Sequence, residues 1–199
     1  AETVPHTGVD TEMTGKLSRA GALGDQAIDR RFRVRRQPAR GHYDRATIDA
    51  VLDAGRVAHI AFVDEGYPDN VPLLYVRDGD RVYIHAASVS RAMRVLGSGV
   101  AACLAVTILD GLVLARSAFE HSANYRSVML FGTFSPLFAH DERLWALQAT
   151  MNRFVPGRWN EVRPPSEREL RATTILAMTI DGASAKLRSG PPTDDDSPD

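Results

Sequence analysis

Residues 71–94 read VPLLYVRDGDRVYIHAASVSRAMR, and the fold is read outward from them. The first part, 71–77, is a short apolar run, Asp78-Gly79 follows, and 81–86 (RVYIHA) is a second such run. A tight Asp-Gly connection needs positive φ, which glycine adopts without steric cost, so the two runs read as a hairpin. The second strand ends in a small-residue turn, HAASVS, that enters a helix over 90–96 with Met93 and Leu96 one turn apart.

The same grammar extends in both directions. Upstream, 57–63 (VAHIAFV) reads as a strand, separated from 71–77 by a turn-rich DEGYPDN. Before it lies a helix over 44–54, capped by Asp44, striped by Ile48, Val51 and Leu52, and stopped by Gly55. Downstream, strand 100–108 is expected to turn at Asp110-Gly111 into 112–116, and 125–134 forms the next strand. The longest helix covers 141–155, with Leu144, Leu147 or Gln148, Met151 and Phe154 on its buried side and Pro156-Gly157 at its end. Ser166 to Glu169 form a capping box, and strands 173–180 and 183–188 are expected to pair around Asp181-Gly182. Short strands joined by tight turns pair antiparallel, and a long antiparallel run hides its edges by closing on itself. The fold class is α+β: an antiparallel barrel of seven or eight strands with two or three flanking helices.

The 199 residues suit one domain, and no internal repeat or linker divides them. Residues 1–30 are polar and aperiodic and read as a disordered arm, 31–189 as the folded unit, and 190–199 as a disordered acidic tail. A formal charge of −1 argues against nucleic-acid or membrane-surface binding, although residues 30–40 hold six arginines. Cys103 is alone, so neither an intrachain disulfide nor a Cys-rich zinc site is available. There is no run of 18 apolar residues and no secretory signal, so no membrane association and a cytoplasmic address are expected. The six histidines show no HExxH spacing, and no G-x-S-x-G elbow is present, which removes metalloprotease and serine-hydrolase readings. The letters GSGVAA at 97–102 match a dinucleotide fingerprint but follow a helix and open a strand, the reverse of the required context.

One segment can meet an anion. Helix starts expose unpaired N–H groups, Ser88 and Ser90 add hydroxyls, and Arg91 and Arg94 add full charge. The competing reading is that Ser90 only caps the helix and the arginines are solvated.

The strings RFRVRRQPARGHYDRATIDAVLDAG, PLLYVRDGDRVYIHAA, VTILDGLVLARSAFEHSANYRSVMLFG, PGRW and ASAKLRSGPP, spanning 31–193, carry a resemblance. Together they resemble the pyridoxamine 5′-phosphate oxidase-related flavin-nucleotide-binding proteins, nitroimidazole-resistance reductases among them. Ser90-Arg91 resemble the Ser-Arg by which pyridoxamine 5′-phosphate oxidases hold the FMN phosphate, with Ala92 where their lysine stands; Glu120 and Ala123 depart from the HHSMNYRSV usual in the related proteins.

The resemblance implies a split β-barrel and a homodimer with FMN at the subunit interface. Pro72, Leu73, Leu74 and Tyr75 would meet the ring edge, and Ser88, Ser90 and Arg91 the phosphate. Asn124, Tyr125, Arg126 and Ser127 would add further contacts. Pro72 has no N–H, so any amide reading the ring comes from a neighbour. His85 would bond flavin, substrate or a haem iron, or be structural; Lys186 and Arg188 would reach the cofactor or be solvated, and Trp159 would pack. The function implied is an FMN-dependent oxidoreductase acting on a small molecule. The alternatives are a non-catalytic flavin store and a haem-binding relative.

Overall fold

Along β2 (Val57–Asp64) side chains alternate: Ala58, Ile60 and Phe62 are buried, Ala61 and Val63 exposed. That period of two is what a strand with one face on a core requires. A computed structural model describes residues 30–193. The arm expected over 1–30, apart from Arg30, and the tail beyond Thr193 lie outside the described residues.

β2 turns into β3 (Tyr67–Asp78) through Glu65 and Gly66, with φ of 50° and 86°. Two successive positive φ values make the type I′ turn whose twist matches a hairpin. The strands therefore pair right up to Asp64↔Tyr67, further than the loop expected over 64–70. Gly79, at φ 53°, carries the chain into β4 (Arg81–Ala87), as the Asp-Gly pair foretold. Flanking this hairpin are α1 (Arg45–Ala54), with Asp44 accepting from Thr47 N, and α2 (Arg91–Gly97).

Two expected turns are corrected. The expected turn at Asp110-Gly111 is a bulge inside one strand, β5 (Ala101–Val113), whose register to β6 (Ser122–Pro136) shifts between Leu109 and Gly111 and then resumes. The Asp110 carboxylate holds Arg126 of β6 at 2.7 Å, which ties the residue to the ladder. The second correction concerns β7 (Thr173–Thr179) and β8 (Gly182–Arg188), expected as a hairpin. They lie end to end along one edge of β6, with β8 on Tyr125–Phe131 and β7 on Phe134–Pro136. A 15-residue strand rises about 50 Å at roughly 3.4 Å per residue, long enough for two seven-residue partners in succession.

The order β1-β8-β6-β5-β2-β3-β4-β7 closes on itself through the β6–β7 pairing, with β1 (Gly41–His42) and β8 on its flank. The fold is α+β, and among the described residues it has four α-helices, α3 (His140–Phe154) and α4 (Glu167–Arg171) completing the set. The interior holds Ile60, Leu104, Leu130, Phe134 and Leu176 and is covered by Ile48 and Leu52 of α1 and by Met93 and Leu96 of α2. A second cluster, Val76, Tyr83, Ile175 and Ala177, receives α3. The buried line of α3 is Ala146 and Thr150, where Leu144, Met151 and Phe154 were expected. Small side chains let the helix lie close on the sheet, while Met151 and Phe154 turn to a neighbouring cleft. No described helix is long and apolar enough to cross a membrane.

Candidate functional site

The pairing of β3 with β4 runs from Asp78↔Arg81 to Tyr75↔Ile84 and stops. β4 continues beside β7 as far as Ala87↔Thr173, while Val71–Leu74 keep β2 alone as a partner among the described residues. The two strands thus splay apart. Backbone N–H and C=O groups along this freed edge lack ladder partners on that side, Pro72 contributing only its carbonyl.

Leu74 and His85 flank the opening. With Thr150, Met151, Phe154 and Trp159 they line a cleft of about 590 Å³. Trp159, expected only to pack, is part of this wall. Burial pushes the His85 imidazole down from its ordinary value, so the ring is neutral near pH 7 with a lone pair free to accept or to ligate. Arg163 and Glu169 stand at the rim in an ion pair of 2.7 Å. That pair and the Ser166 cap hold the Glu169 carboxyl well below its usual range. Arg56 lies over the Phe154 ring at 6.0 Å.

The expected phosphate donors sit at the start of α2. Ser90 Oγ accepts from Met93 N at 3.5 Å, so it caps the helix, and its own proton remains free to donate. Ser88 N donates to Ala172 O at 2.8 Å. Arg91 donates to both Asp64 and Asp69 across the β2–β3 hairpin, although its side chain is 62% exposed. Its charge is therefore balanced, and an anionic ligand must exchange with two carboxylates to use it.

The remaining expected contacts line the start of β6. Arg126 has found its acid in Asp110, whose carboxyl it holds below the usual value. Asn124 accepts from Arg188 at 2.7 Å and donates to Gly190 O at 3.1 Å; Ser127 Oγ donates to Lys186 O at 3.1 Å. Tyr125 is half-buried between Leu109 and Arg188. Arg188 departs from the solvated reading: it is only 9% exposed.

Of the expected set, Leu74 and His85 share a cleft with each other, Tyr75 is a core residue whose hydroxyl donates to Leu52 O at 2.5 Å, and the other two groups lie apart. Sequence reasoning missed the contribution of α3, Thr150, Met151 and Phe154, because a helix face lining a cleft has the same periodicity as one packed in a core.

Comparison with known proteins agrees with this architecture. Residues 44–187 match the family described as pyridoxamine 5′-phosphate oxidase. The flavocytochrome Anf3 from Azotobacter vinelandii is similar in structure, with 37% identity over 86% of this chain and 80% of that one and a TM-score of 0.80. The FAD and haem binding protein from Mycobacterium smegmatis is 42% identical over 79% of this chain and 77% of that one, with a TM-score of 0.75. A putative 5-nitroimidazole antibiotic resistance protein from Bacteroides thetaiotaomicron, 18% identical over 74% of this chain and 86% of that one, shares the fold with a TM-score of 0.63. No match is found among curated proteins. With its barrel closed through β6 and 144 of its 199 residues inside the matched segment (187 − 44 + 1), the chain belongs to the pyridoxamine 5′-phosphate oxidase family.

Proposed function

We propose that this protein is a flavin-binding oxidoreductase whose isoalloxazine ring lies against the freed edge of β3, at Pro72–Leu74. The observation that carries the reading is that splayed edge beside an apolar cleft, in a chain of this family. Unpaired main-chain groups suit the polar rim of the ring, and exposed Leu74 suits its flat face. At the phosphate end the fit is conditional: Ser88 and Ser90 retain free hydroxyl protons, and Arg91 must leave Asp64 and Asp69. The resemblance in the sequence implied FMN; the 42% identical relative is described as binding FAD, which favours the dinucleotide. When bound, the flavin supplies the hydride or electron chemistry, and the chain positions and tunes it.

A homodimer follows from the same reading. The expected contacts fall into groups that one subunit does not join, and a two-fold partner brings the second set, Asn124 to Ser127, to the first. Leu109, Leu112 and Leu114, each more than 60% exposed, give that partner apolar surface to cover.

Haem is the second reading. It is favoured by a neutral, half-buried His85 in a cleft walled by Met151, Phe154 and Trp159, and by two relatives described as a flavocytochrome and as binding haem. The residues fit: His85 would offer an imidazole nitrogen to the haem iron, and the wall is apolar. An absorption spectrum of the purified protein, followed by mass analysis of the acid-released cofactor, tests both. Flavin bands support the first reading, and a Soret band lost in His85→Ala supports the second. A protein that stays colourless after incubation with FMN, FAD and haemin overturns both. Turnover with a reduced nicotinamide and an electron acceptor then separates enzyme from store.

A further inference from the structure

We infer that a second pocket, closed by the C-terminal strap, binds a phosphate-class oxyanion on Arg188, Arg40 and His42. The pocket measures about 530 Å³ and lies between the entry of the chain, Ala39–His42, and its exit, Leu187–Thr193. Its three titratable side chains are all basic. β1 lies on β8 through Gly41↔Lys186 and His42↔Ala185, which brings the two chain ends together and Arg40 beside Arg188.

The charge of Arg188 is the decisive observation. The residue is 9% exposed, yet among the described residues its guanidinium reaches only neutral acceptors: Asn124 Oδ1 at 2.7 Å and Pro191 O at 3.3 Å. No carboxylate pairs with Arg188, Arg40 or His42 among the described residues. Among the described residues two acids lie nearby, and both are engaged. Asp44 caps α1 by accepting from Thr47 N, while feeling the field of His42, and Glu120 accepts from Thr193 at 2.9 Å. A buried cation without a counter-ion is unfavourable, and an anion in the adjoining space relieves it. A guanidinium fork with a second guanidinium and an imidazole matches the several oxygens of a phosphate group.

The strap is built to stay. Asn124 donates to Gly190 O at 3.1 Å, Pro191 and Pro192 stiffen the backbone, and Thr193 is tied to Glu120. Asn124, expected as a cofactor contact, acts here as the residue that holds both Arg188 and the strap. The phosphate has two possible sources, a free phosphorylated metabolite or the flavin's own phosphate, and the chemistry of the pocket is common to both.

The test is calorimetric titration of the full chain with inorganic phosphate at constant ionic strength, with potassium chloride as control and FMN titrated in parallel. One saturable phosphate site is expected, weakened about tenfold to a hundredfold in Arg40→Ala, as loss of a charge-assisted contact predicts. His42→Ala weakens it less. Arg188→Met is checked by circular dichroism, and the half-buried Arg40 and His42 keep the proposal testable if that variant does not fold. Competition between phosphate and FMN that is lost in Arg40→Ala but kept in Arg91→Ala identifies the flavin's phosphate as the natural occupant, and additive binding identifies a separate ligand. Either result supports the site. Phosphate heats no larger than those of chloride, or unchanged phosphate affinity in Arg40→Ala, overturn it. The site does not rest on the flavin reading: FMN binding without phosphate binding removes this proposal alone.

Discussion

Arg91 is where flavin affinity is most open to manipulation, because two carboxylates already hold it. Removing it loses a charge-assisted contact to phosphate, about 1.5–3 kcal/mol. Against that stands the cost of releasing Asp64 and Asp69, about 0–1 kcal/mol for each exposed pair, the Arg91 side chain being 62% exposed. The net loss in Arg91→Ala is then about 1–2 kcal/mol, roughly fivefold to thirtyfold in Kd. The same arithmetic gives the opposite sign for the acids. Asp69→Asn frees part of the guanidinium and is expected to tighten flavin binding by up to about fivefold. Fluorescence quenching of FMN or FAD on titration with each variant measures both changes, and thermal melts should show little loss of stability in either. Flavin affinity in Arg91→Ala equal to the parent's refutes the phosphate role. Weaker binding in Asp69→Asn refutes the competition.

Three further outcomes follow from the packing and the buried groups. A Cβ added at Gly182 would lie 2.2 Å from Phe32 Cζ, so Gly182→Ala should cost about 1–3 kcal/mol by chemical denaturation, and Phe32→Ala should recover part of that loss in the double variant. Tyr75→Phe removes the bond to Leu52 O, a carbonyl that also accepts from Arg153 at 2.6 Å and so keeps a partner. A cost of about 1 kcal/mol, or roughly 2–4 °C in Tm, is expected by calorimetry, and an unchanged Tm contradicts it. Burial lowers the His85 pKa, so the unfolded chain takes up a proton that the folded one refuses, and stability is lost as pH falls below the ordinary imidazole value. The parent-minus-His85→Gln difference in stability should show that acid-side loss, free of His140, whose partners Asp141 and Glu167 push its pKa the other way.

The elements legible in the sequence were those set by local chemistry. Asp44 and Ser90 cap their helices as read, the Ser166–Glu169 box forms, and Gly79 makes its turn. Asp110-Gly111 shows the limit of that approach. The dipeptide has hairpin letters, but Arg126 lies across the ladder and Asp110 pairs with it, so the strand bulges and continues. A long-range partner outweighed a local preference, and no window around residue 110 contains it. The same holds for β7 and β8, whose pairing depends on the length of β6, some forty residues earlier.

The site divides along the same line. The splayed edge at Val71–Leu74 is a main-chain feature, set by where the pairing of β3 with β4 stops, and the sequence reading of a plain hairpin did not contain it. Charge balance does not follow from the sequence either. Arg91, Arg126 and Arg188 look alike in the sequence, where the first two were read as cofactor contacts and Arg188 as reaching the cofactor or solvated. Among the described residues the first two have found acids, and Arg188 has not. Burial without a counter-ion is a property of three dimensions, set by β8 lying between β1 and β6 and by the strap folding back over Asn124. The residue that local reading was readiest to dismiss as solvated is therefore the one whose environment asks most strongly for a ligand.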